Sequence, residues 1–70
     1  MKITINGLLK SIDSTENRLT LLELVQQLGY HPRLIVVEFN GAILNPTKWD
    51  KQEIKDGDAL EIVTIVGGGS

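Results

Sequence analysis

Three consecutive glycines, Gly67-Gly68-Gly69, followed by Ser70, come directly after the largely apolar, strand-like segment Leu60 to Val66. Their chemistry lies in what they lack. Glycine has no side chain to pack, and ordering it costs more backbone entropy than ordering any other residue, so such a run adds little to a fold. A side-chain-free chain end can enter a narrow channel of another protein and present its carboxyl group there. The pattern predicts a fold ending at Val66, a mobile tail over 67–70, and a terminus on which another enzyme works.

The other candidate chemistry is weaker. Asp50, Glu53, Asp56 and Asp58 cluster in sequence, but a calcium loop needs ligands at regular alternate positions, which this set does not match. They read as a solvated turn, with Asp56 and Asp58 bonding nearby backbone. His31 is the single histidine and has no recognisable nucleophile to serve, so it reads as a loop residue. Trp49 reads as a partly buried residue closing the bottom of a small core, ahead of an interface anchor. The triple glycine lacks the Lys-Ser/Thr and the following helix of a phosphate loop. With no cysteine in the chain, disulfides, thiolate metal sites and cysteine nucleophiles are excluded. The seven basic residues are scattered in a chain of net charge −2, which argues against nucleic-acid binding. The longest apolar run, Leu34 to Val37, is far short of a membrane span. Met1 to Ile5 alternates like a strand and has no signal-peptide core. These features predict a soluble cytoplasmic protein with no metal or cofactor of its own. The chain has 70 residues, and ordering them costs on the order of 100 kcal/mol of conformational entropy. That leaves little room for a full core and a buried active site together, so a self-contained enzyme is not expected.

The elements that must position the tail follow from periodicity. Met1, Ile3 and Ile5 alternate with polar residues as in a half-buried strand. Asn6-Gly7 suits a type I′ hairpin turn, with Leu8 to Ile12 returning and Asp13 to Arg18 forming a polar loop. Thr20 and Glu23 make a capping box for a helix of about eight residues, whose apolar face is Leu21, Leu24, Val25 and Leu28. Gly29 is placed as its C-terminal glycine. Leu34 to Phe39 reads as an interior strand, buried through Ile35, Val37 and Phe39. Asn40-Gly41 gives a second hairpin turn, Ala42 to Leu44 a short strand, and Asn45-Pro46 a break. One turn of helix is expected within Thr47 to Ile54, then a tight turn at Asp56-Gly57-Asp58 and the last strand, Leu60 to Val66. One helix on one face of a mixed sheet is an α+β arrangement.

This order of elements, with Asn40-Gly41 after a buried strand, Asp56-Gly57-Asp58 before the last strand and a terminal Gly-Gly, resembles the β-grasp sulfur carriers of the ThiS type. The resemblance spans the whole chain. It implies a ubiquitin-like β-grasp fold, with a mixed four- to five-stranded sheet packed on one main helix. It also implies a chemistry: the glycine carboxylate is adenylated with ATP by an enzyme resembling the ubiquitin-activating enzymes. Sulfur from a donor such as a cysteine desulfurase then replaces one oxygen, and the thiocarboxylate serves thiazole synthase in making the thiazole of thiamine. Gly69 maps onto the reacting glycine and Gly68 onto its neighbour, while Gly67 reads as added flexibility. The chain would then be a protein co-substrate and not an enzyme. Ser70 departs from the pattern, because it puts the free carboxylate on the wrong residue. It is a residue trimmed before activation, a remnant of a Gly/Ser linker, or a sign that this form is inactive. An alternative with the same thiocarboxylate chemistry is the small subunit of molybdopterin synthase; one of another class is a ubiquitin-like modifier, which would join the same activated carboxylate to lysines of target proteins. A further one is an interaction module whose glycines are only a linker.

Alternation along the last strand adds a surface. With Leu60, Ile62, Thr64 and Val66 on one face, Glu61, Val63 and Ile65 share the other, and one helix covers only one side of a sheet. An exposed apolar patch is therefore expected beside the tail, with Val63, Ile65 and Val36 docking the activating enzyme and the synthase. Packing under the tail or in a homodimer is the plainer alternative.

Overall fold

Two Asn-Gly dipeptides fold the chain into its hairpins. Asn6 and Asn40 sit at φ 52° and 51°, and Gly7 and Gly41 at 82° and 90°. Positive φ at both central positions is the twist that a two-residue hairpin requires. In the computed structural model, which describes residues 1–13 and 18–65, the first turn joins β1 (Lys2–Ile5) to β2 (Leu8–Ser11), and the second joins β3 (Ile35–Phe39) to β4 (Ala42–Ile43). The final strand is β5 (Ala59–Thr64).

The single α-helix among the described residues, α1 (Leu21–Gln27), starts at the expected capping box. The Thr20 hydroxyl accepts from the Glu23 N–H at 3.2 Å, and Glu23 Oε1 accepts from the Thr20 N–H at 2.9 Å. Gly29, at φ 89°, terminates it. Leu21, Leu24 and Val25 are completely buried. A helix this short depends on that packing, since isolated helices of under a dozen residues are marginal in water.

The five strands form one mixed sheet in the order β2-β1-β5-β3-β4. β5 is central, parallel to β1 and antiparallel to β3. α1 covers one face, and the core between them joins Ile3 and Ile5, Ile35 and Val37, and Leu60 and Ile62 to the helix and to Trp49 and Ile54. This is the α+β, β-grasp arrangement with five strands.

Several boundaries differ from the sequence reading. Leu34 belongs to a 3-10 turn, Pro32–Leu34, because the proline fixes φ and suits the first helical position. The turn expected within 47–54 is a 3-10 turn at Pro46–Lys48, with Asn45 Oδ1 accepting from the Thr47 N–H at 3.0 Å. Asn45-Pro46 thus ends a strand and starts a turn at once. β2 stops at Ser11 and β4 at Ile43, each one residue early, while β5 begins one residue early at Ala59 and ends at Thr64, before Ile65, which was expected within it. Trp49 is fully rather than partly buried, 1% exposed, with its indole N–H donating to the Leu44 carbonyl at 3.0 Å. Part of the 13–18 loop, Val66 and the Gly67–Ser70 tail lie outside the described residues.

Candidate functional site

The site is the end of β5 and the sheet face beside it. Three contacts grip β5. On one side Asn40 Oδ1 accepts from the Ala59 N–H at 2.8 Å, and the Asn40 N–H donates to the Ala59 carbonyl at 2.8 Å. On the other side β1 ends at Ile5, and the Asn6 side chain takes over where its backbone stops. Its Oδ1 accepts from the Ile62 N–H at 2.7 Å and its Nδ2 donates to the Ile62 carbonyl at 3.3 Å. An amide carries a donor and an acceptor like a peptide unit, so it continues the ladder. The last described grip is the Ile65 N–H on the Leu34 carbonyl at 2.6 Å. The next residues in sequence are Val66 and the glycines.

The face of the sheet away from α1 carries a ladder of three rows, two across β3 and β5 and one just past the ends of those strands. Leu34 stands beside Ile65 through that hydrogen bond, Val36 is directly opposite Val63, and Glu38 is directly opposite Glu61. Leu34, Val36, Val63 and Ile65 are 47%, 36%, 61% and 49% exposed. On the same two strands Ile35, Val37, Leu60 and Ile62 are at most 6% exposed, so the apolar character of the outer rows is not used by the core. Val36 also borders a groove of about 360 Å³ shared with Ile43, Pro46 and Trp49.

Val36, Val63 and Ile65 are therefore together on one exposed face, while Gly67, Gly68 and Gly69 lie outside the described residues. Sequence reasoning missed Leu34, although alternation from Val36 pointed to it. It also took Asn6 and Asn40 only as turn formers. Nothing local distinguishes a turn asparagine from one whose amide grips a strand more than fifty residues on.

The acidic residues are structural where they are engaged. Asp56 Oδ1 accepts from the Lys2 N–H at 2.6 Å, and Asp58 accepts from the Lys55 N–H at 2.7 Å and from Asn40 Nδ2 at 3.1 Å. Gly57 between them has φ 91°. Glu53 faces Arg18 at 3.7 Å. His31 Nδ1 accepts from the Arg33 N–H at 3.3 Å and caps the short turn that follows. Among the described residues no three metal-ligating side chains converge, and no helix is long and apolar enough to cross a membrane.

The family model described as the ThiS family matches residues 3–69. The chain belongs to the ThiS family. The crystal structure of the thiamine biosynthesis protein (ThiS) from Geobacter metallireducens superposes with a TM-score of 0.82 at 36% identity, over 99% of this chain and 100% of that one. The NMR solution structure of a thiamine biosynthesis protein from the same organism gives 0.81 at 34%, over 100% and 90%. An uncharacterized protein ycf40 of Trieres chinensis is 42% identical over 79% of this chain and 75% of its own length. A thiazole synthase of Paramagnetospirillum magneticum is 36% identical over 100% of this chain, which spans only 21% of that protein. ThiS membership makes a sulfur-carrier role the family expectation for this β-grasp chain, and small ThiS-type carriers are not enzymes.

Proposed function

We propose that the chain is the sulfur carrier of thiazole formation and acts through the carboxylate of Gly69. In this reading an adenylating enzyme of the ubiquitin-activating type binds the carrier and ATP. The carboxylate oxygen attacks the α-phosphorus and pyrophosphate leaves; the terminal sulfur of a protein persulfide then displaces AMP from the carbonyl carbon, and a second thiol cleaves the acyl disulfide so formed, leaving a protein disulfide. The resulting thiocarboxylate gives its sulfur to thiazole synthase. The chain supplies no cofactor and is a cytoplasmic co-substrate, with the sulfur drawn from a donor such as a cysteine desulfurase.

The observation that carries this reading is the family match through residue 69, on a chain whose central strand leads in sequence into Gly67-Gly68-Gly69. The physics agrees. A side chain next to the carbonyl would obstruct ATP and the sulfur nucleophile alike, and glycine takes whatever dihedrals a channel imposes. Gly69 is four residues beyond Ile65, so its carboxyl reaches at most about 14 Å from that anchor. A partner must therefore dock beside the end of β5 to bring its active site within range. The exposed rows of Leu34, Val36, Val63 and Ile65 are the surface for that docking. Similarity to a thiamine biosynthesis protein and to a thiazole synthase favours thiazole over molybdopterin.

Intact mass tests the reading. The chain ended at Gly69, co-expressed with the adenylating enzyme of its own organism, should gain a species with one carboxyl oxygen replaced by sulfur. The form keeping Ser70 should stay unmodified unless it is first trimmed to Gly69. A Gly69-ended chain that remains an ordinary carboxylate would refute the proposal. Protein-linked adducts would mark a modifier instead.

A further inference from the structure

The tail-side half of β5 is flanked by a strand on one side only. β3 is in register with β5 from Leu60 to Thr64, whereas β1 is in register with it only at Ala59 and Leu60. On the β1 side the Thr4 N–H donates to the Asp58 carbonyl and the Asn6 N–H to the Leu60 carbonyl, both at 2.9 Å. The next bonding position on that side is Ile62, and by then the chain has turned away at Asn6-Gly7. The Asn6 amide fills the position, accepting from the Ile62 N–H and donating to the Ile62 carbonyl. Among the described residues no hydrogen bond reaches β5 further along on that side. The turn does not explain this amide. It needs only positive φ at Asn6, which a glycine supplies as well. Asn40, at nearly the same φ, puts its own amide on Ala59 at the opposite end of β5, so Asn6 alone of the two serves the end that leads to the tail.

We propose that Asn6 is a positioning residue for activation of the tail, an inference that rests on the carrier reading above. Its amide holds the end of β5 in strand geometry, so that Val63 and Ile65 stand ready as a docking surface before any partner arrives. Val63 follows the gripped residue directly, and Ile65 comes two residues later. Without the amide, β5 from Ile62 onward is held from the β3 side alone. A strand end with few hydrogen bonds and exposed side chains opens locally at low cost. A partner that docks on it must then order it, and that ordering is subtracted from affinity. The reacting carboxylate is a different matter. Gly69 is seven residues beyond Ile62, and glycines pass on no fixed orientation along the chain. Asn6 therefore acts on recognition of the carrier and not on the chemical step, which the partner performs once the tail is in its channel.

The test is ATP–pyrophosphate exchange by the adenylating enzyme of the same organism, with the Gly69-ended chain as the varied substrate. Asn6→Gly, which keeps the turn and deletes the amide, should raise the KM for the carrier about tenfold and leave kcat unchanged. In the free chain the same substitution should speed hydrogen exchange of the Ile65 N–H about tenfold, because that bond to Leu34 lies on the loosened end. Thr20→Ala, which weakens the fold at the start of α1, should keep the parent KM. An unchanged KM in Asn6→Gly, with the parent chain active, would overturn the positioning role and leave the carrier reading standing. A KM raised equally by Thr20→Ala would overturn it too, by making the effect one of general stability. So would a raised KM with Ile65 exchange unaltered, since Asn6 would then touch the partner itself, or a loss in kcat alone. A parent chain that supports no exchange at all would instead remove the carrier reading, and this inference with it.

Discussion

The two faces of β5 are built from similar residues and meet opposite fates. Toward α1, Leu60 and Ile62 are 1% and 6% exposed; away from it, Val63 and Ile65 are 61% and 49% exposed. Both pairs are aliphatic, and Leu60, Ile62 and Val63 sit on the same central strand, with Ile65 just past its end. The difference lies in what stands opposite: α1 and Trp49 on one side, and on the other no described element. A sheet of this size can bury one face with a single helix, so aliphatic residues on the second face contribute little to the free chain and are available to a partner.

Substitutions on the two faces should therefore separate cleanly. The largest effect is expected from Leu60→Ala, which removes a buried side chain and should cost about 2–5 kcal/mol in urea denaturation. That is a large part of the stability of so small a domain. Val63→Ala should stay within about 0.5 kcal/mol of the parent; an equal loss at both positions would break the comparison. Next comes Ile65→Asp. It should leave the fold within about 1 kcal/mol while cutting thiocarboxylate formation roughly tenfold or more, as truncation of a docking anchor does. Normal conversion of this variant in the mass assay would remove the outer face from the mechanism.

A smaller effect sharpens how β5 is held between those faces. Asn6→Gly keeps the positive-φ turn and deletes only the amide that bonds Ile62. It should cost about 1–2 kcal/mol by thermal melting. Asn6→Ala should cost about 1 kcal/mol more, because alanine is strained in the left-handed region. A melting temperature unchanged in Asn6→Gly would mean that the grip on Ile62 adds nothing. The smallest effect is Thr20→Ala, about 1 kcal/mol from loss of the helix cap, read by denaturation and without consequence for the outer face.

Local chemistry was legible in the sequence. Both hairpin turns, the Thr20–Glu23 capping box and Gly29 are where the residues placed them, because each depends on a few neighbouring backbone atoms; the Asp56-Gly57-Asp58 turn is in place too, but Asp56 bonds the distant Lys2 N–H and only Asp58 bonds nearby backbone, at Lys55. The outward direction of Val63 and Ile65 was legible for the same reason: alternation along a strand is a property of the strand alone. Leu34 could have been added by that rule. The depth of Trp49 could not, since its burial comes from residues far away in sequence, and neither could the amide of Asn6 bridging to Ile62.

The sequence by itself determined which segments turn, cap and alternate, and that the chain runs from a strand into glycines, because those depend on φ preferences and spacing over a few residues. The tertiary structure alone decided that this strand is the central one and that Asn6 and Asn40 grip it from either side. It also decided that Glu38 faces Glu61 beyond the apolar rows. Pairing between distant strands sets which side chains become neighbours, and no local preference carries that register.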